Sequence, residues 1–169
     1  MCRSIIRRQY RKAWDAMNRH DYEAIIAQLG PTFEVTFVGD TSPGGSRHTK
    51  DAMRRWFERL FRLFPDARFE LRAVAVDGWP WDTRIFGSFA ITATVLGETY
   101  DNVFIQFVKM RWGRITSYSI YEDSLKFWRT AQAMAAHGSA EATAPAVLDE
   151  GQPTASPIRG LDTSAGATR

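Results

Sequence analysis

Apolar residues recur every three to four positions near the start of the chain, with polar residues between them. The residues that share this spacing are Ile6, Tyr10, Ala13, Trp14 and Met17. This pattern predicts an amphipathic first helix. A short second helix is expected after Asp21, whose carboxylate would accept its free backbone N–H groups, and Gly30 followed by Pro31 would end it.

A longer apolar stripe at helical spacing predicts a third helix from Thr49 to Phe64. Its members are Met53, Trp56, Phe57, Leu60, Phe61 and Phe64. Arginine and glutamate residues occupy the other side of this helix, and Pro65 stops it. A last helix is expected over Leu125–Ala136, with Asp123 or Ser124 as its cap.

Elsewhere the apolar period changes to two, which is typical of strands with one buried face. The expected strands are Thr32–Gly39, Phe69–Val76, Thr83–Val95, Thr99–Arg111 and Arg114–Glu122. Short turns between the later strands predict antiparallel pairing. We therefore expect an α+β fold: a cone-shaped, curved antiparallel sheet and three helices from the N-terminal half enclose a pocket, and one helix follows the sheet.

The composition changes after His137, where alanine, glycine, serine, threonine and proline replace most large apolar residues. Such a segment buries too little surface to offset its ordering entropy. We expect one domain over residues 1–137 and a disordered tail over residues 138–169.

Charge and cysteine content narrow the class of protein. The net charge is +3, and basic residues are concentrated in the first helix, which we interpret as its solvated face and not as a nucleic-acid site. The single cysteine, Cys2, excludes an internal disulfide and fits a reducing cytoplasm. No apolar run is long enough to predict a signal peptide or a membrane span, so no membrane partner is expected.

Three stretches point to a known family: NRHDYEAIIAQL, GGSRHTKDAMRRWFERLFRLFPD and RWGRITSYSIYEDSLKF. Together with the order of elements, they resemble the SnoaL-like and ketosteroid-isomerase-like branch of the nuclear transport factor 2-like superfamily, over about residues 4–136. The resemblance implies a cavity between the sheet and the third helix. It also implies a small hydrophobic ligand, cyclic and of terpenoid, steroid or polyketide type, no cofactor, and a homodimer.

Carrying the family cavity over to this sequence gives a set of expected substrate contacts. The predicted substrate-binding residues are Tyr10, Trp14, Trp56, Phe61, Phe86, Asn102, Phe104, Gln106, Tyr118 and Ile120. The sequence departs from the isomerases, because Gln106 stands where the resemblance implies their oxyanion-binding acid, and Phe37 aligns with their base. The last-strand aspartate of the cyclases and epoxide hydrolases corresponds to Ile120.

Three residues are the catalytic candidates: Asp40, His48 and Glu122. Asp40 at a cavity mouth would lose hydration and act as a base, or it would simply begin the Pro/Gly turn. His48 would pair with it and shuttle a proton, or it would be a surface residue before the third helix. Glu122 and Asp123 point opposite ways on a strand, so only one of them enters the cavity.

These candidates predict a cofactor-free acid/base enzyme of the isomerase or polyketide-cyclase type. Two alternatives remain open: a non-catalytic small-molecule-binding or dimerisation module of the same fold, and an epoxide hydrolase. No metal site is expected, because His20, His48 and His137 are scattered and show no ligand spacing.

Overall fold

The computed structural model describes residues 3–150. The helices are α1 (Arg3–Met17), α2 (Glu23–Ile26), α3 (Lys50–Leu63) and α4 (Ser124–Ala136). The strands are β1 (Leu29–Val38), β2 (Gly45–Arg47), β3 (Arg68–Trp79), β4 (Asp82–Val95), β5 (Glu98–Arg111) and β6 (Arg114–Glu122). The α+β prediction is confirmed, and helices and strands follow the predicted order with one added strand, β2.

The strands form one open six-stranded sheet in the order β2-β1-β6-β5-β4-β3. Strands β3 to β6 pair antiparallel along the chain, as the short turns between them predict. The prediction of a wholly antiparallel sheet is wrong at one place, because β1 and β6 run parallel. Alternation identifies which face of a strand is buried, but it does not identify the strand beside it.

Two helices are capped by side chains at their first turns. The Thr49 hydroxyl accepts a hydrogen bond from the backbone N–H of Ala52 at the start of α3, and the Asp123 carboxylate accepts one from Lys126 at the start of α4. The predicted cap of α2 is wrong, since Tyr22 occupies that position and makes no side-chain capping bond.

Aromatic rings fill the space between α1, α3 and the inner face of the sheet. Trp14 of α1 lies 4.2 Å from Phe89 and 5.7 Å from Phe104, measured between ring centroids. Phe89 and Phe104 stack on neighbouring strands with centroids 4.7 Å apart. Such offset ring pairs add to the apolar area that they bury.

The outer face of the sheet keeps several large apolar side chains exposed. They are Phe86 on β4, Val103 and Ile105 on β5, and Tyr121 on β6. Register places them on one face, because Ile105 pairs with Tyr121 and Phe86 pairs with Phe107. The Phe86 and Phe107 rings stack at 4.6 Å.

Residues 140–149, which we call the C-terminal strap, pack against α3 beyond the predicted domain end at 137. The strap begins with a 3₁₀ helix, Ala140–Thr143, and Glu141 forms a 2.6 Å ion pair with Arg62. Its Asp149 carboxylate accepts hydrogen bonds from the backbone N–H groups of His48 and Thr49. Residues 151–169 lie outside the described residues, and a disordered tail there stays a prediction.

Candidate functional site

An apolar cavity of about 50 Å³ lies between α1, α3, α4 and the inner face of the sheet. Its lining is made of aromatic and aliphatic side chains with few polar groups. The lining residues are Trp14, Met17, Ile25, Phe37, Pro43, Trp56, Phe57, Leu60, Phe64, Phe69, Ile91, Tyr100, Phe104, Tyr118, Ile120, Glu122 and Phe127. We call this space the main cavity. It has the apolar wall and sparse polar groups of a ligand site, at a smaller volume than such sites usually have.

Glu122 is the ionisable carboxyl group that lines the main cavity. It ends β6, and its partner in the register of β5 is Phe104, another lining residue. Its Oε1 atom is fully buried and has no hydrogen-bond partner among the described residues. Burial in this apolar wall, with a smaller contribution from the charge of Asp123, raises the pKa of Glu122 to about 8.

A smaller cavity of about 30 Å³ adjoins the main one. Tyr118, Trp14 and Ile25 line both spaces and so form the wall between them. In the smaller cavity, the Tyr10 hydroxyl of α1 donates a hydrogen bond to Oε1 of Gln106 on β5. This bond joins a predicted oxyanion donor and a predicted amide and leaves both engaged with each other.

Tyr118 is buried between the two cavities, and no hydrogen bond joins its hydroxyl to another described residue. Burial raises its pKa above the ordinary value of a tyrosine, while the charge of Arg47 opposes that rise. The hydroxyl therefore stays protonated at neutral pH and can donate a hydrogen bond to a ligand oxygen.

The other two catalytic candidates lie outside both cavities. Asp40 lines a separate surface cleft between the strap and α4, next to Trp128. Phe127 lines this cleft and the main cavity, so its ring stands between them. His48 is exposed on the far side of β2, and its Nδ1 atom lies 2.9 Å from Oδ2 of Asp149. The structure does not bring Asp40 and His48 together with Glu122.

Most predicted ligand contacts do line a cavity. Trp14, Trp56, Phe104, Tyr118 and Ile120 line the main cavity, and Tyr10 and Gln106 line the smaller one.

Three predicted contacts are placed elsewhere. Phe86 is 48% exposed on the outer face of the sheet. Phe61 is half-buried and stacks on His20 instead, with ring centroids 4.1 Å apart. Asn102 faces inward, but its amide nitrogen donates to the Tyr100 hydroxyl and to the Asp123 carbonyl oxygen, and it does not line the main cavity.

Arg47 is a residue near the site that sequence reasoning did not select. It is completely buried although it lies in a Gly/Ser/Pro-rich segment where an arginine is expected to be exposed. The alternation of Arg47 with Gly45 on a strand paired to β1 is the signal that could have found it, but a three-residue strand is too short to recognise from its sequence.

Two searches within residues 3–150 gave negative results. No three or more His, Cys, Asp or Glu side chains are grouped there in a way that could hold a metal ion. None of the helices in the same range is long and apolar enough to cross a membrane.

Comparison with known proteins confirms the resemblance suggested by the sequence. The family model of the SnoaL-like domain matches residues 10–118. No curated protein matches the chain. Matching solved structures are all distant in sequence, and they therefore speak for the fold alone.

Three of these structures illustrate the range. PrhC from Penicillium brasilianum is 15% identical, with a TM-score of 0.68 over 80% of this chain and 91% of its own. A protein provisionally described as a SnoaL-like polyketide cyclase from Jannaschia sp. CCS1 is 13% identical, with a TM-score of 0.60 over 73% and 88%. TerC, co-crystallised with polyporic acid, is 17% identical, with a TM-score of 0.59 over 73% and 95%.

Proposed function

We propose, on the premise that the chain belongs to the SnoaL-like domain family, that it is a cofactor-free acid/base enzyme acting on a small hydrophobic cyclic compound. The reaction would be of the isomerase or cyclase type. The observation that carries the proposal is the buried Glu122 carboxyl in the apolar main cavity, with its Oε1 atom unpaired. An unpaired buried carboxyl destabilises the fold, so a role in chemistry gives it a reason to be there.

Glu122 would act as the proton carrier. With its pKa raised to about 8, roughly one molecule in ten is ionised at neutral pH, and that form can accept a proton from the carbon next to a carbonyl group. The C–H electron pair then moves into the new C=C bond, and the carbonyl π pair moves onto its oxygen. Glu122 would return the proton to another carbon in an isomerisation, or the enolate carbon would attack a second carbonyl in a ring closure.

Tyr118 would donate a hydrogen bond to the oxygen that becomes negative. Tyr118 and Glu122 lie four residues apart on β6, so they share its inner face about 13 Å apart along the strand. A ligand lying between them would contact the lining rings of Trp56 and Phe104. A preorganised donor aimed at a developing oxyanion is usually the largest single contribution to such catalysis.

The proposal is tested by hydrogen–deuterium exchange at the carbons next to the carbonyl of small cyclic ketones in D₂O, followed by NMR. The wild-type protein should speed the exchange, and Glu122→Gln should lower the enhancement on the order of 10²-fold or more. Asp40→Asn is the matched control and should leave it unchanged. Loss of exchange in Asp40→Asn with full exchange in Glu122→Gln would contradict the proposal.

A second candidate function is a non-catalytic binding module for a small apolar ligand. The small volume of the main cavity and its single carboxyl group favour it. In that case ligands would bind without proton exchange, and Glu122→Gln would bind them as well as the wild type or better, because the substitution removes a group that can ionise in an apolar wall.

A further inference from the structure

Arg47 is a buried cation for which the fold gives no partner carboxylate within ion-pair distance among residues 3–150. Its guanidinium group donates to three backbone carbonyl oxygens instead: Gly45 at 3.0 Å, Pro43 at 2.8 Å and Gly44 at 2.7 Å. Its Nε atom is buried without any hydrogen-bond partner among the described residues. An arginine in such surroundings is rare, because burying an unpaired charge is costly.

The positive charge lies directly behind the wall of the main cavity. The Cζ atom of Arg47 is 5.4 Å from the centroid of the Trp56 ring, and its Nη2 atom binds the Pro43 carbonyl. Trp56 and Pro43 both line the main cavity. In the sheet, Arg47 pairs with Val35, and Val35 pairs with Tyr118 on its other side. Arg47 and Tyr118 are thus on the same face, two strands and about 10 Å apart.

The charge of Arg47 persists at neutral pH. Burial lowers the pKa of its guanidinium to about 10, and the attraction of Asp149 opposes that change from beyond ion-pair distance. The Asp149 carboxylate is itself occupied by hydrogen bonds from His48 and Thr49. The field of Arg47 at the cavity is therefore only partly compensated, and an apolar environment screens it weakly.

Glu122 does not cancel this field below about pH 8, because in that range its carboxyl group is mostly uncharged. The main cavity then combines a buried cation behind one wall, an unpaired tyrosine hydroxyl and a neutral carboxyl group. This combination favours a negative ligand oxygen over a neutral one.

We propose that Arg47 makes the main cavity selective for small cyclic oxyanions, that is, enolates or phenolates whose oxygen binds at Tyr118. The inference rests on the proposed function, since it assumes that the main cavity takes a small ligand, and it deepens it by naming the ligand class. Arg47 acts through the field that it sets up and through the Pro43–Gly45 turn, and so is a positioning residue.

The test uses two probes of similar size: 4-nitrophenol, whose anion alone absorbs visible light, and nitrobenzene, which has no acidic group. The wild-type protein should bind 4-nitrophenol with its pKa lowered by at least about one unit, which corresponds to a tenfold preference for the phenolate. Arg47→Met should abolish that shift and leave nitrobenzene binding within about twofold. Arg62→Met, which removes an exposed arginine of α3, is the matched control and should keep the shift.

The outcomes separate this inference from the proposed function. Equal binding of both probes with an unchanged or raised pKa of bound 4-nitrophenol overturns the role of Arg47 and leaves the small-molecule cavity intact. Failure of both probes to bind contradicts the cavity itself and both proposals with it. If Arg47→Met does not fold, the wild-type pKa shift decides: a lowered value supports the inference, and any other value overturns it.

Discussion

Glu122 and Asp123 are adjacent carboxylates that the end of β6 turns into opposite environments. Glu122 lines the apolar cavity with one oxygen unpaired, whereas Asp123 accepts a hydrogen bond from the backbone N–H of Lys126 and starts α4. The alternation of a strand separates the two side chains, and the helix that follows gives the second one a structural role.

The first prediction is a pH dependence of stability that originates at Glu122. Between the ordinary pKa of 4.5 and the raised value of about 8, the folded protein holds a proton there that the unfolded chain releases. The free energy of unfolding should therefore fall as the pH rises through this range. Glu122→Gln should remove that loss and be more stable than wild type at about pH 9, by roughly 2–4 kcal/mol, measured by urea unfolding.

The control for this experiment is Glu98→Gln, the same substitution at an exposed residue of β5. Its unfolding free energy should follow the wild-type curve across the whole pH range. A Glu122→Gln protein that loses stability with rising pH as steeply as the wild type would show that the carboxyl is not protonated in the folded state.

The second prediction concerns the buried hydrogen bond between Tyr10 and Gln106. Gln106→Leu should leave the Tyr10 hydroxyl buried without a partner and lower the free energy of unfolding by roughly 1–3 kcal/mol. Adding Tyr10→Phe should cost less than that substitution costs alone, because the unpaired group is then gone. Strictly additive losses in urea unfolding would mean that the two side chains do not interact.

The third prediction concerns the strap and its contact with the start of α3. Asp149→Ala should destabilise the protein by about 1–2 kcal/mol and speed hydrogen exchange at the amides of His48 and Thr49. Burial opposes ionisation of Asp149, but the hydrogen bonds from Thr49 and His48 outweigh it and lower its pKa below the ordinary value of 3.8. The wild-type advantage should thus be present above that value and disappear as the pH falls through the lowered one.

Glu150→Ala removes the neighbouring exposed carboxylate and is the matched control for the strap. It should leave exchange at both amides unchanged. Equal protection of those amides in wild type and Asp149→Ala would indicate that the strap does not hold the α3 terminus.

The fourth prediction is a homodimer through the exposed apolar face of the sheet. Phe86 and Ile105 belong to this face, and a second copy would cover them. Ile105→Lys should shift the mass measured by light scattering from dimer to monomer, because it places a charge in the interface. Leu96→Lys, at an exposed residue of the β4–β5 turn, should leave the mass unchanged. A monomeric wild-type protein would refute the prediction.

The inward side chains were predictable from the sequence because period-two alternation is strict. Once one residue of a strand faces the core, the others follow, and Gln106, Tyr118 and Glu122 were placed correctly by this rule with the family resemblance. Phe86 shows the limit of the rule. A phenylalanine suggests burial, but its register partner Phe107 puts it on the outer face.

Residues in irregular segments were not predictable in the same way. Asp40 and His48 flank a turn whose path depends on β2 and on the strap, which the sequence did not reveal. Alanine-rich composition suggested that residues 138–150 would not pack, yet the arginines of α3 bind their carbonyl and carboxylate oxygens. Arg47 was missed for a related reason, because its burial depends on three carbonyl groups of one turn.

The parallel pairing of β1 with β6 also affects how the chain reaches its native state. β1 ends at Val38 and cannot gain its second neighbour until residues up to Glu122 have left the ribosome. Until then the growing chain carries a two-stranded ribbon and a separate meander, each with an open edge that can pair with other chains. Closing this long loop late should make folding slow, and truncation before β6 should yield aggregates.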